Sequence, residues 1–106
     1  MEKKRANMVI DLNIPPKYRQ DIENAAKFLK NEGCGAVFLF GSSVTGKIRD
    51  DSDIDIGIKG YPTGNFFNLY SRLYFDFDTK IDLVDFDTNS DFYDMLNEIE
   101  EVVQIG

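Results

Sequence analysis

The chain has 106 residues, with 12 Lys+Arg against 19 Asp+Glu, one Cys and neither His nor Trp. The absence of histidine excludes imidazole general-base catalysis, Ser-His-Asp triads and His-ligated zinc, and a single Cys34 excludes internal disulfides and cysteine-based zinc sites. A net charge of −7 argues against a duplex nucleic-acid binder held by phosphate contacts, while 42% apolar and 13% aromatic residues are too many for a disordered acidic chain.

The length is one domain's worth, residues 1–106, with residues 1–14 read as a loosely ordered N-terminal segment. Its opening, MEKKRANMVIDLN, is basic but lacks the apolar run of a secretory signal. No stretch approaches the roughly 18 apolar residues of a membrane span. A soluble, cytoplasmic protein with a reduced Cys34 is expected. The charge is lopsided. Residues 1–49 carry nine basic and five acidic side chains, and residues 50–106 carry three and fourteen. Eleven of those fourteen acids are aspartates, which are poor helix formers.

Pro15-Pro16 opens the first helix, and Tyr18, Ile22, Ala25, Ala26 and Leu29 form its apolar stripe until Gly33 and Gly35 stop it. Residues 36–40, AVFLF, read as a buried strand. A turn-rich connection follows, with one helical turn after Gly41. Residues 53–59 alternate strictly, with Ile54, Ile56 and Ile58 on one face and Asp53, Asp55 and Gly57 on the other. Residues 65–75 suit a helix with Phe66, Leu69, Tyr70 and Leu73 inward. Thr79 to Phe86 alternates again, with Ile81 and Leu83 opposite Lys80, Asp82 and Val84. Ser90 caps a last helix whose stripe runs through Phe92, Met95, Leu96, Ile99 and Val102/Val103. The expected fold is α+β: a small mixed sheet of three strands, with room for a fourth, flanked by helices.

Three features carry chemistry. Phe40-Gly41-Ser42 stands where a strand ends and a turn begins, and a Gly there lets the backbone approach an anion. Asp53-Ile54-Asp55 puts two carboxylates on one strand face, where hard cations with oxygen ligands relieve their repulsion. Asp82 repeats the arrangement on another strand. If the two strands pair, three carboxylates share one surface. Two other motifs fail. GSSVTGK at 41–47 lacks the Ser/Thr that a P-loop needs after Lys47, since Ile48 follows. DDSDIDIG has Ile56 and Pro62 where a Ca²⁺ loop from Asp51 needs Gly and Glu.

The combined pattern resembles the DNA polymerase β-like nucleotidyltransferase superfamily, and most of all its minimal nucleotidyltransferase branch. It reads Phe40-Gly41-Ser42, ten residues, Ser52-Asp53-Ile54-Asp55-Ile56, then Asp82 one strand later. The resemblance spans roughly residues 15–105. It implies nucleotidyl transfer from an NTP, with ATP the expected donor, to an acceptor hydroxyl. It also implies that Asp53, Asp55 and Asp82 are catalytic and bind two Mg²⁺, and that Asp82 helps deprotonate or orient the acceptor. Gly41, Ser42 and Ser43 would hold the triphosphate. Many members carry Arg-Gly where this chain has Thr45-Gly46, and Lys47 or Arg49 is expected to stand in for that cation.

Members of this branch pair with all-α HEPN proteins and act as their antitoxins, which implies such a partner here, or a homodimer to complete the site. The aromatics Phe66, Phe67, Tyr70, Tyr74, Phe75 and Phe77 are expected mostly in the core, with the exposed remainder free to meet a partner. The competing expectation is a non-catalytic module of the same fold that binds and masks its partner.

Overall fold

Two prolines and the apolar spacing behind them set the first element. The computed structural model describes residues 14–48 and 52–106. The N-terminal segment up to residue 13, and Arg49 among the expected nucleotide-binding residues, lie outside the described residues. Ile14 is buried, and its carbonyl accepts a hydrogen bond from Arg19 Nη2 at 2.9 Å, so packing begins at that residue.

Helix α1 spans Pro16–Asn31 and buries Tyr18, Ile22, Ala25, Ala26 and Leu29, the stripe that its spacing predicts. It ends in a Schellman motif: Cys34 N–H donates to Leu29 C=O and Gly33 N–H to Lys30 C=O, with Gly33 at φ +103°. The chain then runs through β1 (Ala36–Phe40), a short α2 (Ser42–Thr45), β2 (Ile54–Lys59), α3 (Phe66–Asp76), β3 (Ile81–Asp85), α4 (Ser90–Glu98) and β4 (Val102–Gln104). The four strands form one sheet in the order β3-β2-β1-β4. β1 is antiparallel to β2 and β4, while β2 and β3 are parallel. A parallel pair needs a crossover, and α3 provides it.

Period two sorts side chains onto two faces. Val37, Leu39, Ile54, Ile56, Ile58, Ile81 and Leu83 join α1 and the inner side of α3 in the main core. Phe38, Phe40 and Phe86 line the other face, where α4 adds Leu96 to the cluster. Phe86 fits there because Gly57 has no side chain: a Cβ at Gly57 would overlap its ring.

The structure corrects the expected C-terminal end. The last helix stops at Glu98, and Val102–Gln104 form β4 against β1. Glu101 N–H donates to Leu96 C=O at 2.9 Å and Glu100 N–H to Asn97 C=O at 3.2 Å, a second Schellman motif with Glu100 at φ +58° in the glycine position. The expected stripe of α4 is buried only at Leu96: Phe92, Met95 and Ile99 are 36%, 42% and 51% exposed. The α3 aromatics divide as well. Phe66, Tyr70 and Phe77 pack against the core, while Phe67, Tyr74 and Phe75 are exposed. Among the described residues, no helix is long and apolar enough to cross a membrane.

A left-handed conformation costs a non-glycine residue about 1–2 kcal/mol, part of which glycine returns as unfolded-state entropy. Glu100→Gly is therefore expected to stabilise the fold by about 0.5–1 kcal/mol, read as a higher urea midpoint. A lower midpoint would show that the Glu100 side chain contributes contacts of its own.

Candidate active site

The site grows from the sheet's register. Phe40 on β1 lies opposite Asp55 on β2, and Asp55 lies beside Asp82 on β3. Adjacent strands run about 4.8 Å apart, so the two carboxylates on one face are near neighbours. Asp53 stands one residue before β2, with its side chain 38% exposed, and meets Lys80 Nζ at 3.8 Å. The isoleucines between and beside these acids are fully buried on the far face, which fixes the direction of the carboxylates.

The electrostatics record the crowding. The Asp55 carboxyl is raised from an ordinary 3.8 to about 6, first by burial and then by the negative charges of Asp82 and Asp53. The donor set is all oxygen, which suits a hard dication such as Mg²⁺ that would offset this field. Among the described residues, no three acidic or thiol groups already stand together at ligand spacing, so the acids share an edge rather than a closed cage.

The turn after β1 presses on the same edge. Gly41 has φ +74° and ψ −142°, a conformation open in practice to glycine alone, and a Cβ there would collide with the Asp55 carboxylate. Ser42 begins α2, and Val44 and Thr45 N–H both donate to Gly41 C=O. The Ser42 and Ser43 amides have no partner within so short a helix. Ser43 is fully buried, and its Oγ has no hydrogen-bond partner among the described residues. Lys47 and Thr45 are exposed, and Lys47 N–H closes the turn on Ser42 C=O. The fold thus brings Gly41, Ser42 and Ser43 to the edge that carries Asp53, Asp55 and Asp82.

One further acid is structural. Asp85 is buried on the opposite face of β3 and accepts hydrogen bonds from Tyr61 Oη at 2.5 Å and from the Asp87 and Thr88 amides. Burial alone would raise its carboxyl, but these bonds hold it below the ordinary value, and the Tyr61 hydroxyl is pushed up to about 12. Sequence reasoning missed the groups on the other side of Asp53. Lys17, Ser52, Thr79 and Lys80 meet there, from three separate segments. The available signal was Lys80, two residues before Asp82 on an alternating strand.

A mixed sheet that brings a Gly-Ser turn to Asp55 and Asp82 on adjacent strands, with Asp53 just before β2, has the architecture of the nucleotidyltransferase fold. The sequence pattern of the family described as "Polymerase beta, Nucleotidyltransferase" matches residues 23–104, and the chain belongs to that family. Among solved structures the chain is similar to one described as "the toxin-antitoxin with AMP-PNP", with 22% identity, 82% of this chain and 71% of that chain covered, and a TM-score of 0.59. It also matches a Sulfolobus solfataricus protein classed with the nucleotidyltransferases, at 23% identity over 86% of this chain and 82% of that one, with a TM-score of 0.43. A search of curated protein sequences finds no match.

The raised Asp55 carboxyl has a measurable consequence. The folded protein keeps this proton up to about pH 6, whereas the unfolded chain releases it near 3.8. Between those values the native state binds more protons, so stability rises as pH falls from 7 toward 5 and is lost again on the way up. Asp55→Asn is expected to raise the melting temperature at pH 7 in metal-free buffer and to flatten the slope between pH 5 and 7. An unchanged slope in the variant would assign the dependence to another group.

Proposed function

We propose that this protein is a Mg²⁺-dependent nucleotidyltransferase that moves an adenylyl group from ATP to a hydroxyl on a partner protein. The observation that carries the reading is the pairing of Asp55 with Asp82 on adjacent parallel strands, with Asp53 beside them and the Gly41 backbone held against Asp55. Asp53, Asp55 and Asp82 would hold the metal. When bound, Mg²⁺ neutralises phosphate charge and lowers the pKa of the acceptor hydroxyl.

The residues divide the remaining work. The Ser42 amide and hydroxyl hold the triphosphate, with the buried Ser43 fixing the turn behind them, and Lys47 supplies a cation to it. Asp82 orients the acceptor hydroxyl and takes its proton. The acceptor oxygen bonds to the α-phosphorus. The bond from that phosphorus to the bridging oxygen breaks, and pyrophosphate leaves with the electron pair. Without histidine, catalysis becomes positioning plus charge neutralisation.

Likeness to a toxin–antitoxin structure crystallised with AMP-PNP supports the nucleotide and the partner protein. We place the chain as the antitoxin half of such a pair, modifying an all-α HEPN-type protein. One observation favours a second reading, a module that masks its partner without turnover. The exposed Thr45 carries no cation at the position where many members of the minimal branch have Arg.

Two measurements separate these readings. Mg²⁺ with AMP-PNP is expected to raise the melting temperature of the wild type, and the double variant Asp53→Ala, Asp55→Ala to lose the shift. Asp82→Asn is expected to keep most of the shift while slowing adenylyl transfer by about 10²–10⁴-fold. Transfer is read as one added AMP mass on the product of a neighbouring gene. A partner that forms a stable complex and gains no mass would leave masking as the function.

A further inference from the structure

The helix that closes the aromatic layer also carries an outward face. At about 100° per residue, Phe92 and Met95 of α4 and Ile99 at its C-terminal cap fall within an arc of roughly 60°. All three are exposed. On one flank of this stripe Leu96 is buried in the aromatic cluster. On the other flank Asp91, Asp94 and Glu98 form an exposed row of the same spacing. Among the described residues, no ion pair reaches that row.

We propose that this face docks an amphipathic helix of a partner protein, one with aliphatic side chains along its contact stripe and a row of Lys or Arg beside them. A helix seated there lies next to the acid edge and brings the acceptor hydroxyl of the same partner to it. That role rests on the transfer reading, whereas the docking preference rests on α4 alone.

Three observations lead to that occupant. The first is position. Phe92 meets Phe40 edge-on, with ring centroids 5.5 Å apart, and Phe40 lies opposite Asp55 on the same face of the sheet. The stripe therefore starts one aromatic ring away from the acids. The exposed Phe67, Tyr74 and Phe75 are placed differently. They ride on α3, whose Leu69 and Leu73 pack into the core on the other face of the sheet, so a chain docked there is held away from the acids.

The second is charge. Residues 81–106 hold eight acidic side chains and no basic one. Asp91 suits the N-terminal end of α4, but Glu98 opposes the dipole at its other end, and no basic residue stands in that last turn. Lys59, the cation recorded against α4, is taken up over the Tyr93 ring at 3.8 Å from its centre. A Lys or Arg from outside answers the row and the helix end together. The same charge decides among occupants. A second copy would set one acidic row against another, and an anionic lipid surface or a nucleic acid is repelled.

The third is shape. The stripe runs for about two helical turns, roughly 10 Å, beside its charged row, and a second helix offers ridges of matching spacing. An apolar centre with a charged rim is the anatomy of a protein contact. Phe92 is braced by Phe40 and Phe86, so the end of the stripe nearest the acids is already in place before a partner arrives.

The experiment titrates the full chain, by NMR shift and without nucleotide, with a designed helical peptide of about 18 residues that carries a Leu stripe and an adjacent Lys row. Two controls keep its length. One has Glu in place of the Lys row, and the other has the same residues in an order that breaks the stripe. The Lys peptide is expected to bind about tenfold tighter than either control and to shift the α4 amides most. Met95→Gln and Ile99→Ser are each expected to weaken it about fivefold to tenfold, and Glu98→Lys about fivefold. Glu98→Lys relieves the charge at the helix end, so it reads the proposal even where an apolar variant fails to fold. Phe75→Ser, on α3, is expected to leave binding unchanged. The melting shift with Mg²⁺ and AMP-PNP is expected to stay the same in all these variants. Equal binding of either control peptide, loss of binding in Phe75→Ser, no binding at millimolar concentration, or self-association of the protein through α4 would each overturn the proposal. Failure of AMP-PNP to bind the wild type would instead count against the transfer reading and leave the docking result standing.

Discussion

Everything at the site follows from one constraint, the parallel pairing that sets Asp55 beside Asp82. Two carboxylates this close repel by about 3 kcal/mol at an effective dielectric near 20. The opposite face of the same two strands buries Ile54, Ile56, Ile58, Ile81 and Leu83. Each such side chain contributes about 1.5–3 kcal/mol when taken from water. Aliphatic burial therefore outweighs the repulsion several times over, and the register holds. The core imposes the charge crowding, and the Asp55 carboxyl near 6 is its residue.

The acid-bearing face is divided by a steric device. Phe38, Phe40 and Phe86 cover one part of it, stacked within about 5–6 Å of each other or of Tyr93 and Phe92. Phe86 reaches the sheet only across Gly57, two residues after Asp55 on the same face. The aromatic layer thus ends next to the acids instead of over them. α4 is tied to that layer through Leu96 and Tyr93, and among the described residues Asp53, Asp55 and Asp82 at the end of the sheet stay partly exposed. Gly41 is the matching device on β1: its missing Cβ lets a backbone turn sit against Asp55 without displacing it.

Much of this was legible in the sequence, because period is a local property. The α1 stripe, the alternation of residues 53–59 and the placement of Asp82 opposite Ile81 and Leu83 all follow from spacing. The two helix ends show where local reading stops. Both α1 and α4 end in Schellman motifs, but α1 has Gly33 at the left-handed position, while α4 has Glu100. With no glycine to mark the stop, Val102 and Val103 continue the helical spacing of Ile99 and look like its last turn. Their strand identity comes from β1, which offers an edge far away in sequence. The three acids were legible one by one. Their convergence was not, since it depends on which strands pair. The cavity beside Asp53 was hidden for the same reason, being built from α1, the β2 start and the β3 start together.

The lopsided charge takes on a different meaning once each acid is placed. Asp85 organises the turn after β3, Asp87 accepts the Gly60 amide, and Asp76 is bonded to Arg72. These carboxylates are satisfied by the protein itself. Asp53, Asp55 and Asp82 differ. Lys80 approaches Asp53 at a long 3.8 Å, and Asp55 is crowded by the charges of Asp82 and Asp53. Replacing Asp55 with a neutral side chain would stabilise the metal-free fold, since its folded-state carboxyl opposes its own ionisation. These acids form two populations: carboxylates that close turns and cap contacts, and an edge of three whose crowded charge is the feature a dication and a nucleotide would answer.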